Sequence, residues 1–377
     1  MRRVDGEPEG GVGTASRSRR DALGRLLLAS LGIADAVAAS AAQPAASPWS
    51  APASTAVDVR ELVFVNAGVS LRGTLHAPRG RVGVPAVVVA HAASSPTRDL
   101  PLYGHLIELL PPLGIAVFVY DRRGSGASGG DLAASDYPML ADDAIAAQKM
   151  LAAQAPLIDP RRIGFWGLSQ GGWLAVLAGA RSASTAFVVS VSAPMTTPDV
   201  QMNFAVANIL RVEGYAASDI EQALGARRAV DAWFRGELDR AKAQQALDAA
   251  SARPWFDRVY LGKTLPPEPR SSGWEREMRH DPLSTLVEVR APTLVVYGAA
   301  DPWVPVRLSV ERLANAAARM PHVETVVIAG ADHAMMLSAD AKTQMDPASF
   351  PRQAPEASAY FGLLGAWLAR HGMTERR

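Results

Sequence analysis

The stretch Ile163–Trp173 reads I-G-F-W-G-L-S-Q-G-G-W and decides the fold. An apolar run typical of a buried strand ends at Ser169, and a helical pattern over Gly171–Arg181 follows it directly. Gly167 and Gly171 stand two residues before and two residues after this serine. Side chains at those positions would collide in a very tight turn, so the spacing predicts a strand–turn–helix corner with a strained serine. In such a corner the serine hydroxyl is exposed at the end of a sheet.

A serine hydroxyl attacks a carbonyl only when a base takes its proton and a carboxylate orients that base. Two loops that follow predicted strands supply these groups. Asp301 follows the strand Thr293–Tyr297, and His333 follows the strand Thr325–Ile328. Serine, then acid, then histidine is the order expected on a mostly parallel sheet. The sequence therefore predicts Ser169 as nucleophile, His333 as base and Asp301 as the orienting acid.

The negative charge that forms when a carbonyl is attacked needs N–H donors close by. The backbone N–H of Gln170 opens the helix after the serine and is one predicted donor. The second donor is expected in the loop after the buried strand Pro85–Ala90, where the sequence reads H-A-A-S-S. We predict the N–H of Ala93, with that of Ser94 as the alternative. Asp332 adjoins the histidine in sequence and is not expected to orient its imidazole.

The order of elements from Val57 onward predicts an α/β fold. Short apolar runs alternate with amphipathic segments, the pattern of a mostly parallel central sheet with helices on both faces. From residue 194 to residue 283 no strand is predicted, and helical patterns follow one another instead: Asp199–Arg211, Ser218–Phe234 and Gly236–Ala250. We expect residues 194–283 to form a helical cap over the C-terminal edge of the sheet, and residues 57–193 and 284–377 to form the core.

Apolar side chains of the predicted cap could line an acyl pocket, or they could equally form the core of the cap. They are Met195, Met202, Phe204, Trp233 and Trp255. The predicted substrate contacts are two of these, Met195 and Trp233, together with His91 of the oxyanion loop. No cluster of acids marks a site for a peptide amine, which favours an ester as the substrate.

The composition excludes several classes of function. The chain has 377 residues, a formal net charge of +1 and no cysteine. A balanced charge gives no reason to expect a nucleic-acid partner. The absence of cysteine excludes disulfides, thiolate metal sites and a cysteine nucleophile.

The first 56 residues differ from the rest and resemble an export signal followed by a linker. The basic run Ser16–Arg20 precedes the apolar stretch Leu26–Ala42, which ends in small residues, and the paired arginines resemble a twin-arginine signal. Residues 1–42 are the predicted signal, and residues 43–56, rich in Pro, Ala and Ser, are the predicted linker. Asp35 interrupts a run that is short for a membrane span, so no stable membrane insertion is expected. The alternative is a disordered extension of a cytoplasmic protein.

Four segments together resemble the α/β-hydrolase superfamily, and the resemblance covers nearly everything from Val57 to Arg370. They are H-A-A-S at His91, D-R-R-G-S-G-A-S at Asp121–Ser128, G-L-S-Q-G at Gly167, and the loops of Asp301 and His333. Within the superfamily the chain is similar to the esterase and serine-aminopeptidase-like group, on the patterns at Gly68–Pro78 and Asp281–Gly298. The resemblance implies a serine hydrolase that acts through an acyl-enzyme, with no metal or organic cofactor.

The chain departs from the family pattern at one position of the oxyanion loop. The family usually has His-Gly where this sequence has His91-Ala92. An alanine at a positive φ would destabilise the loop by about 1 kcal/mol. Because alanine removes no N–H, we expect a slightly shifted oxyanion hole rather than an inactive one.

Three functions stay open at this point. The first is hydrolysis of small or medium carboxylic esters, and the second is a peptidase or amidase of the aminopeptidase-like kind. The third is a non-catalytic binding protein that uses the capped cavity as a receptor. A dehalogenase or an epoxide hydrolase would need a carboxylate in place of Ser169. The sequence predicts neither the acyl length nor the oligomeric state.

Overall fold

The computed structural model describes residues 56–93, 96–337, 340–345 and 356–374. The predicted export signal and nearly all of the predicted linker lie outside these ranges. The described residues form one sheet of eight strands. The strands are β1 Val57–Asn66, β2 Val69–Pro78, β3 Val84–Ala90, β4 Ala116–Tyr120, β5 Ile158–Leu168, β6 Val188–Val191, β7 Thr293–Gly298 and β8 Val323–Ile328.

The sheet has the strand order β1-β2-β4-β3-β5-β6-β7-β8. The six strands β4, β3, β5, β6, β7 and β8 run parallel to one another. Strand β2 runs antiparallel to both β1 and β4. The chain runs from β3 outward to β4 and then crosses back to β5 on the other side of β3. The carboxyl ends of β3 and β5 therefore flank the crevice where open α/β sheets bind their ligands.

The described residues include eleven α-helices. Helices α1 Gly104–Leu109, α2 Tyr137–Ala152, α3 Gln170–Arg181, α9 Val306–Ala316 and α11 Ser358–Arg370 belong to the predicted core. Helices α4 Pro198–Val212, α5 Ala217–Arg235, α6 Arg240–Ser251, α7 Gly273–Glu277 and α8 Pro282–Glu288 lie between β6 and β7, and α10 Ala341–Met345 follows β8. None of these helices is long and apolar enough to cross a membrane.

Two apolar clusters cover the two faces of the sheet. Along β3, Ala86 and Val88 point into one cluster, whereas Val87 and Val89 point into the other. Helices α2, α3, α8 and α9 pack on the first face, and α1 and α11 pack on the second. This burial on both sides explains why the central strands are continuous β-branched runs instead of alternating ones. The α/β-hydrolase fold predicted from the sequence is confirmed.

The segment between β6 and β7 has an apolar cluster of its own. Residues of α4, α5 and α6 form it, together with the stretch around Trp255 and with Met278. The described residues of this segment contain no strand, in agreement with the sequence pattern. Helix α8 begins one residue before the predicted end of the cap, at Pro282, and its side chains Leu283 and Leu286 belong to the cluster on the sheet face instead.

The loop after β4 is held by a buried ion pair. Arg123 donates from Nε to Asp143 Oδ2 (2.9 Å) and from Nη2 to Asp143 Oδ1 (2.6 Å). The Asn66 side-chain amide also donates to Asp143 Oδ1, at 2.7 Å. The Arg123 side chain is 6% exposed and that of Asp143 is 0% exposed, so neither charge is hydrated. The pair thereby fixes the β4 loop to helix α2 and to the end of β1.

Removal of this carboxylate should destabilise the fold strongly, because a buried guanidinium would lose its partner. We expect Asp143→Ala to lower the free energy of unfolding by about 3–5 kcal/mol. The adjacent Asp142 provides the matched control, since it pairs with Arg181 and both side chains are more than 40% exposed. Asp142→Ala should change the free energy of unfolding by about 1 kcal/mol or less. Urea unfolding of the two variants measures both values. Equal losses of unfolding free energy would contradict a special role of the buried Arg123–Asp143 pair.

Candidate active site

Ser169 lies in the sharp turn between β5 and α3. Its backbone has φ 57° and ψ −125°, a conformation that residues with a side chain rarely adopt. A Cβ at Gly167 would lie 2.0 Å from the carbonyl oxygen of Gly171, and one at Gly171 would lie 2.2 Å from that of Ala90. The two glycines are therefore required by space, as the sequence spacing predicts. The serine side chain is partly exposed at the edge where β5 ends.

The predicted acid and base are in direct contact. His333 Nδ1 lies 2.7 Å from Asp301 Oδ2. The other oxygen of Asp301 accepts hydrogen bonds from the backbone N–H groups of Trp303 (2.8 Å) and Val304 (3.1 Å). The carboxylate is thus held by its own loop and is fully buried, whereas the imidazole is 19% exposed. With Nδ1 engaged, Nε2 is the ring nitrogen that remains for a reacting group.

The loops of the acid and the histidine are joined through their backbones. The N–H of Ala300 donates to the carbonyl of Ala331 at 2.8 Å. Asp332 is 2% exposed, and its Oδ1 accepts from the N–H groups of Ala334 and Met336, both at 2.9 Å. It therefore shapes the loop that carries the neighbouring His333, while Asp301 makes the hydrogen bond to the imidazole.

The two predicted oxyanion segments lie at the ends of β5 and β3, which are adjacent strands. Gln170 is the first residue of α3, and the first N–H groups of a helix have no partner within it. The N–H of Ala92 donates to the hydroxyl of the buried Tyr103 at 3.1 Å. It is therefore already used, which leaves the next N–H, that of Ala93, as the candidate donor. Ser94, the alternative, lies outside the described residues.

The strain that a positive φ would impose on Ala92 is absent. The described non-glycine residues with positive φ do not include it, and its side chain is 4% exposed and packs in the apolar cluster of the second sheet face. The alanine therefore fits the loop without the conformational cost that a positive φ would impose.

The three predicted substrate contacts are all buried. His91 is 1% exposed, and its ring packs edge-on against Tyr103 and Tyr120. Burial, with a smaller contribution from the charge of Arg122, lowers the pKa of His91 to about 3. Met195 belongs to the apolar cluster of the first sheet face and Trp233 to that of the cap. Their contact with a substrate stays a prediction, and their burial is that of packing residues.

The described residues contain no group of three or more His, Asp or Glu side chains that could hold a metal ion. The carboxyl ends of the parallel strands β3, β5, β7 and β8 carry a serine, an Asp–His pair and the candidate N–H donors of Gln170 and Ala93.

Residues 86–340, well over half of the chain, match the family described as serine aminopeptidase, S33. The chain belongs to this family. No curated protein sequence matches it significantly.

Solved structures similar to this S33 hydrolase are α/β hydrolases. An esterase from Pyrococcus furiosus has 19% identity and a TM-score of 0.53, over 83% of this chain and 91% of that one. An acylaminoacyl peptidase from Pyrococcus horikoshii has 14% identity and a TM-score of 0.52, over 85% of this chain and 43% of that one. At such identities the similarity establishes the fold alone.

A polar network beside the serine was missed by the sequence analysis. Arg122 Nη1 donates to Gln170 Oε1 at 2.9 Å, and Gln170 Nε2 donates to the Tyr137 hydroxyl at 3.4 Å. The same hydroxyl hydrogen-bonds to the carboxyl of Glu277, on α7. The network therefore joins the residue after the predicted nucleophile to the predicted cap. No local pattern announces it, because its four members come from four separate parts of the chain.

Glu277 has an unusual environment for an acid. Burial raises its pKa to about 7, although Arg122, Arg276 and the hydrogen bond from Tyr137 oppose the shift. A carboxyl that changes its charge near neutral pH therefore lies next to the hydroxyl that binds Gln170. Groups with such shifts are over-represented at functional sites, and this one is connected to Gln170 through the Tyr137 hydroxyl.

The pKa of His333 is raised above its usual value of 6.5. Burial acts against this shift, but the charge and hydrogen bond of Asp301 outweigh it, and Asp332 adds a smaller contribution. The imidazole is protonated below its pKa and can act as a base only above it.

We therefore expect kcat/KM to rise with pH, with a midpoint above 6.5 that reports His333. Asp301→Asn removes the main interactions that raise this pKa and leaves the effect of burial. The titration of His333, followed by NMR, should then move to lower pH, and kcat should fall by about 10⁴. If the NMR titration midpoint of His333 in Asp301→Asn lies at or above that of the parent protein, the assignment of Asp301 as the orienting acid is contradicted.

Proposed function

We propose that this S33 hydrolase cleaves carboxylic esters of small to medium acyl groups through a Ser169–His333–Asp301 triad and an acyl-enzyme. The observation that carries the proposal is the hydrogen bond of 2.7 Å between His333 and Asp301, at the same sheet edge as the strained Ser169. Nucleophile, base and orienting acid are the three groups that acyl transfer requires. No metal or organic cofactor takes part in the proposed reaction.

In the first half of the reaction, Nε2 of His333 takes the proton of Ser169 Oγ as the oxygen attacks the ester carbonyl. Asp301 keeps the proton on Nδ1 and stabilises the imidazolium that forms. The N–H groups of Gln170 and Ala93 bind the negative oxygen of the tetrahedral intermediate. One such donor contributes about 3–4 kcal/mol to the stability of the transition state.

The intermediate then breaks down, and His333 returns the proton to the leaving alkoxide as the alcohol departs. The acyl group stays on Ser169 Oγ. In the second half a water molecule gives its proton to His333 and attacks the same carbonyl. Collapse of this second intermediate releases the carboxylic acid and restores the serine hydroxyl.

The position of helix α4 supports an apolar acyl site. Gln201 and Asn208 donate to the carbonyls of Trp303 (3.0 Å) and Pro302 (2.9 Å), directly after Asp301. Phe204 lies on the same side of this helix, one turn after Gln201, and it is partly exposed. We infer that Phe204 contacts the acyl chain, in agreement with the apolar character that the sequence predicts for this region.

A second candidate function is hydrolysis of an amide next to a free amine, as an aminopeptidase performs it. The carboxyl of Glu277, linked to Gln170 through the Tyr137 hydroxyl, favours this alternative in its ionised form, because a carboxylate suits an ammonium group. The nearby Arg122 opposes it, since a second cation would be repelled. We therefore keep the ester as the first proposal.

A series of p-nitrophenyl esters of increasing acyl length tests the proposal. We expect cleavage with a maximum at a short or medium chain, because the predicted cap would limit the length of the acyl group. Ser169→Ala should lower kcat by about 10⁴ or more while thermal unfolding stays unchanged. Labelling by a fluorophosphonate should add one phosphonyl group to the parent protein and none to the variant.

An amino-acid p-nitroanilide assayed in parallel separates the alternatives. Faster cleavage of the anilide than of any ester would favour the peptidase. A folded protein that neither cleaves these substrates nor reacts with the fluorophosphonate would favour the non-catalytic receptor.

We also propose that the protein is exported, on the basis of the N-terminal sequence alone. The paired Arg19 and Arg20 before the apolar stretch Leu26–Ala42 support a twin-arginine signal. The double substitution Arg19→Lys, Arg20→Lys should therefore retain the protein in the cytoplasm of a host with that export system. Fractionation with immunodetection measures this. Export of the double variant at the level of the parent would contradict the proposal.

A further inference from the structure

Arg122 is a buried cation without a carboxylate partner at ion-pair distance among the described residues. It is 3% exposed and follows β4. Its Nη2 donates to the carbonyls of His91 (2.6 Å) and Ala92 (3.3 Å), and its Nη1 donates to Gln170 Oε1 (2.9 Å). All three acceptors are neutral, and Nε has no partner in the part of the chain that the structure describes. A buried charge whose hydrogen bonds go only to neutral oxygens is costly to keep, and the charge of Glu277 offsets part of that cost without forming an ion pair.

The neighbouring Arg123 shows what a structural arginine looks like in the same loop. Its charge is neutralised by Asp143 through two hydrogen bonds. Arg122 points instead toward the oxyanion loop and the start of α3, where its hydrogen bonds go to neutral oxygens and Glu277 acts on it through charge alone. This contrast indicates that Arg122 does more than hold the loop in place.

The contacts of Arg122 are with the two segments that carry the candidate oxyanion donors. The carbonyl of Ala92 and the N–H of Ala93 belong to one peptide group. A cation bound to the carbonyl polarises this group and makes its N–H a stronger donor. On the other side, Arg122 binds the side chain of Gln170, whose backbone N–H is the second candidate donor.

We propose that Arg122 is the positioning residue of the oxyanion hole. It fixes the loop of Ala93 and the start of α3 relative to each other, and its charge stabilises the negative oxygen of the tetrahedral intermediates. The inference rests on the proposed serine mechanism, because it needs an oxyanion at this place.

The role predicts an effect on the transition state that exceeds the effect on substrate binding. In Arg122→Met, kcat should fall by about 10- to 100-fold while KM changes little, somewhat less than for loss of a direct donor. Arg122→Lys keeps a charge but loses the forked geometry of the guanidinium. Its kcat should therefore lie between that of the parent and that of Arg122→Met. The matched control is Arg123→Lys, which should lower the melting temperature and leave kcat within about threefold.

Inhibitor binding distinguishes this role from simple packing. An alkyl boronic acid forms a bond from Ser169 Oγ to boron, with the serine proton passing to His333, and the boron becomes tetrahedral and anionic. Its affinity should fall in Arg122→Met by the same factor as kcat/KM. A neutral alkyl methyl ketone that binds without reacting is the probe of ground-state binding, used at low occupancy. Arg122→Met should bind this ketone with the affinity of the parent protein.

Several results would overturn the inference. The role is excluded if both variants at position 122 keep the kcat and the boronic-acid affinity of the parent. It is also excluded if the affinities for boronic acid and for ketone fall by the same factor. If Arg122→Met does not fold, Arg122→Lys decides by the same comparison. The proposed function is tested separately, because failure of the parent protein to react with the fluorophosphonate removes the serine mechanism and this role with it. A reactive parent with insensitive Arg122 variants removes only the role of Arg122.

Discussion

The turn at Ser169 constrains much of the surrounding architecture, because it forces backbone groups from three segments into contact. Its φ of 57° and ψ of −125° bring the start of α3 against the end of β5, where a Cβ on Gly167 would meet the Gly171 carbonyl. Gly171 in turn lies against the carbonyl of Ala90, at the end of β3. A strained residue costs about 1–3 kcal/mol and persists only when its surroundings determine it. The parallel pairing of β3 with β5, buried on both faces, supplies that support.

The crossing of the chain at β3 then determines which groups meet at this turn. Because β3 lies between β4 and β5, the loops after all three strands converge on one crevice. They carry the candidate oxyanion donor Ala93, the cation Arg122 and the candidate nucleophile. The strands β7 and β8 continue the sheet on the same side and bring Asp301 and His333 to the same edge. The site is thus assembled from strand ends that are rigid in the sheet and distant along the chain.

Charge is used in two different ways in the loop after β4. Arg123 and Asp143 form a buried pair in which each group satisfies the other, and such a pair fixes geometry with little field outside it. Arg122, one residue earlier, makes its hydrogen bonds to neutral oxygens, and no carboxylate among the described residues lies within ion-pair distance of it. In a low-dielectric interior an uncompensated charge acts over a longer range than a pair does. The two adjacent arginines can therefore serve stability and the candidate site separately.

The sequence by itself determined the α/β fold, the corner around Ser169 and the loops of Asp301 and His333. These features depend on local patterns, namely buried β-branched runs, helical periodicity and glycines at positions that exclude a side chain. The bounds of β3, β7 and β8 differ from the predicted ones by one or two residues, as at β8, where Val323–Ile328 begins two residues before the predicted Thr325–Ile328.

Only the tertiary structure decided the surroundings of these residues. Met195 and Trp233 are apolar, and an apolar residue suits the lining of a pocket as well as a core. Their burial follows from packing between elements that are far apart in sequence. The network of Arg122, Gln170, Tyr137 and Glu277 depends on distances across the sheet and to the cap. A local pattern records the preference of a residue for strand, turn or helix. It does not record which distant group a buried charge will meet, because that is set by the order in which the strands pair.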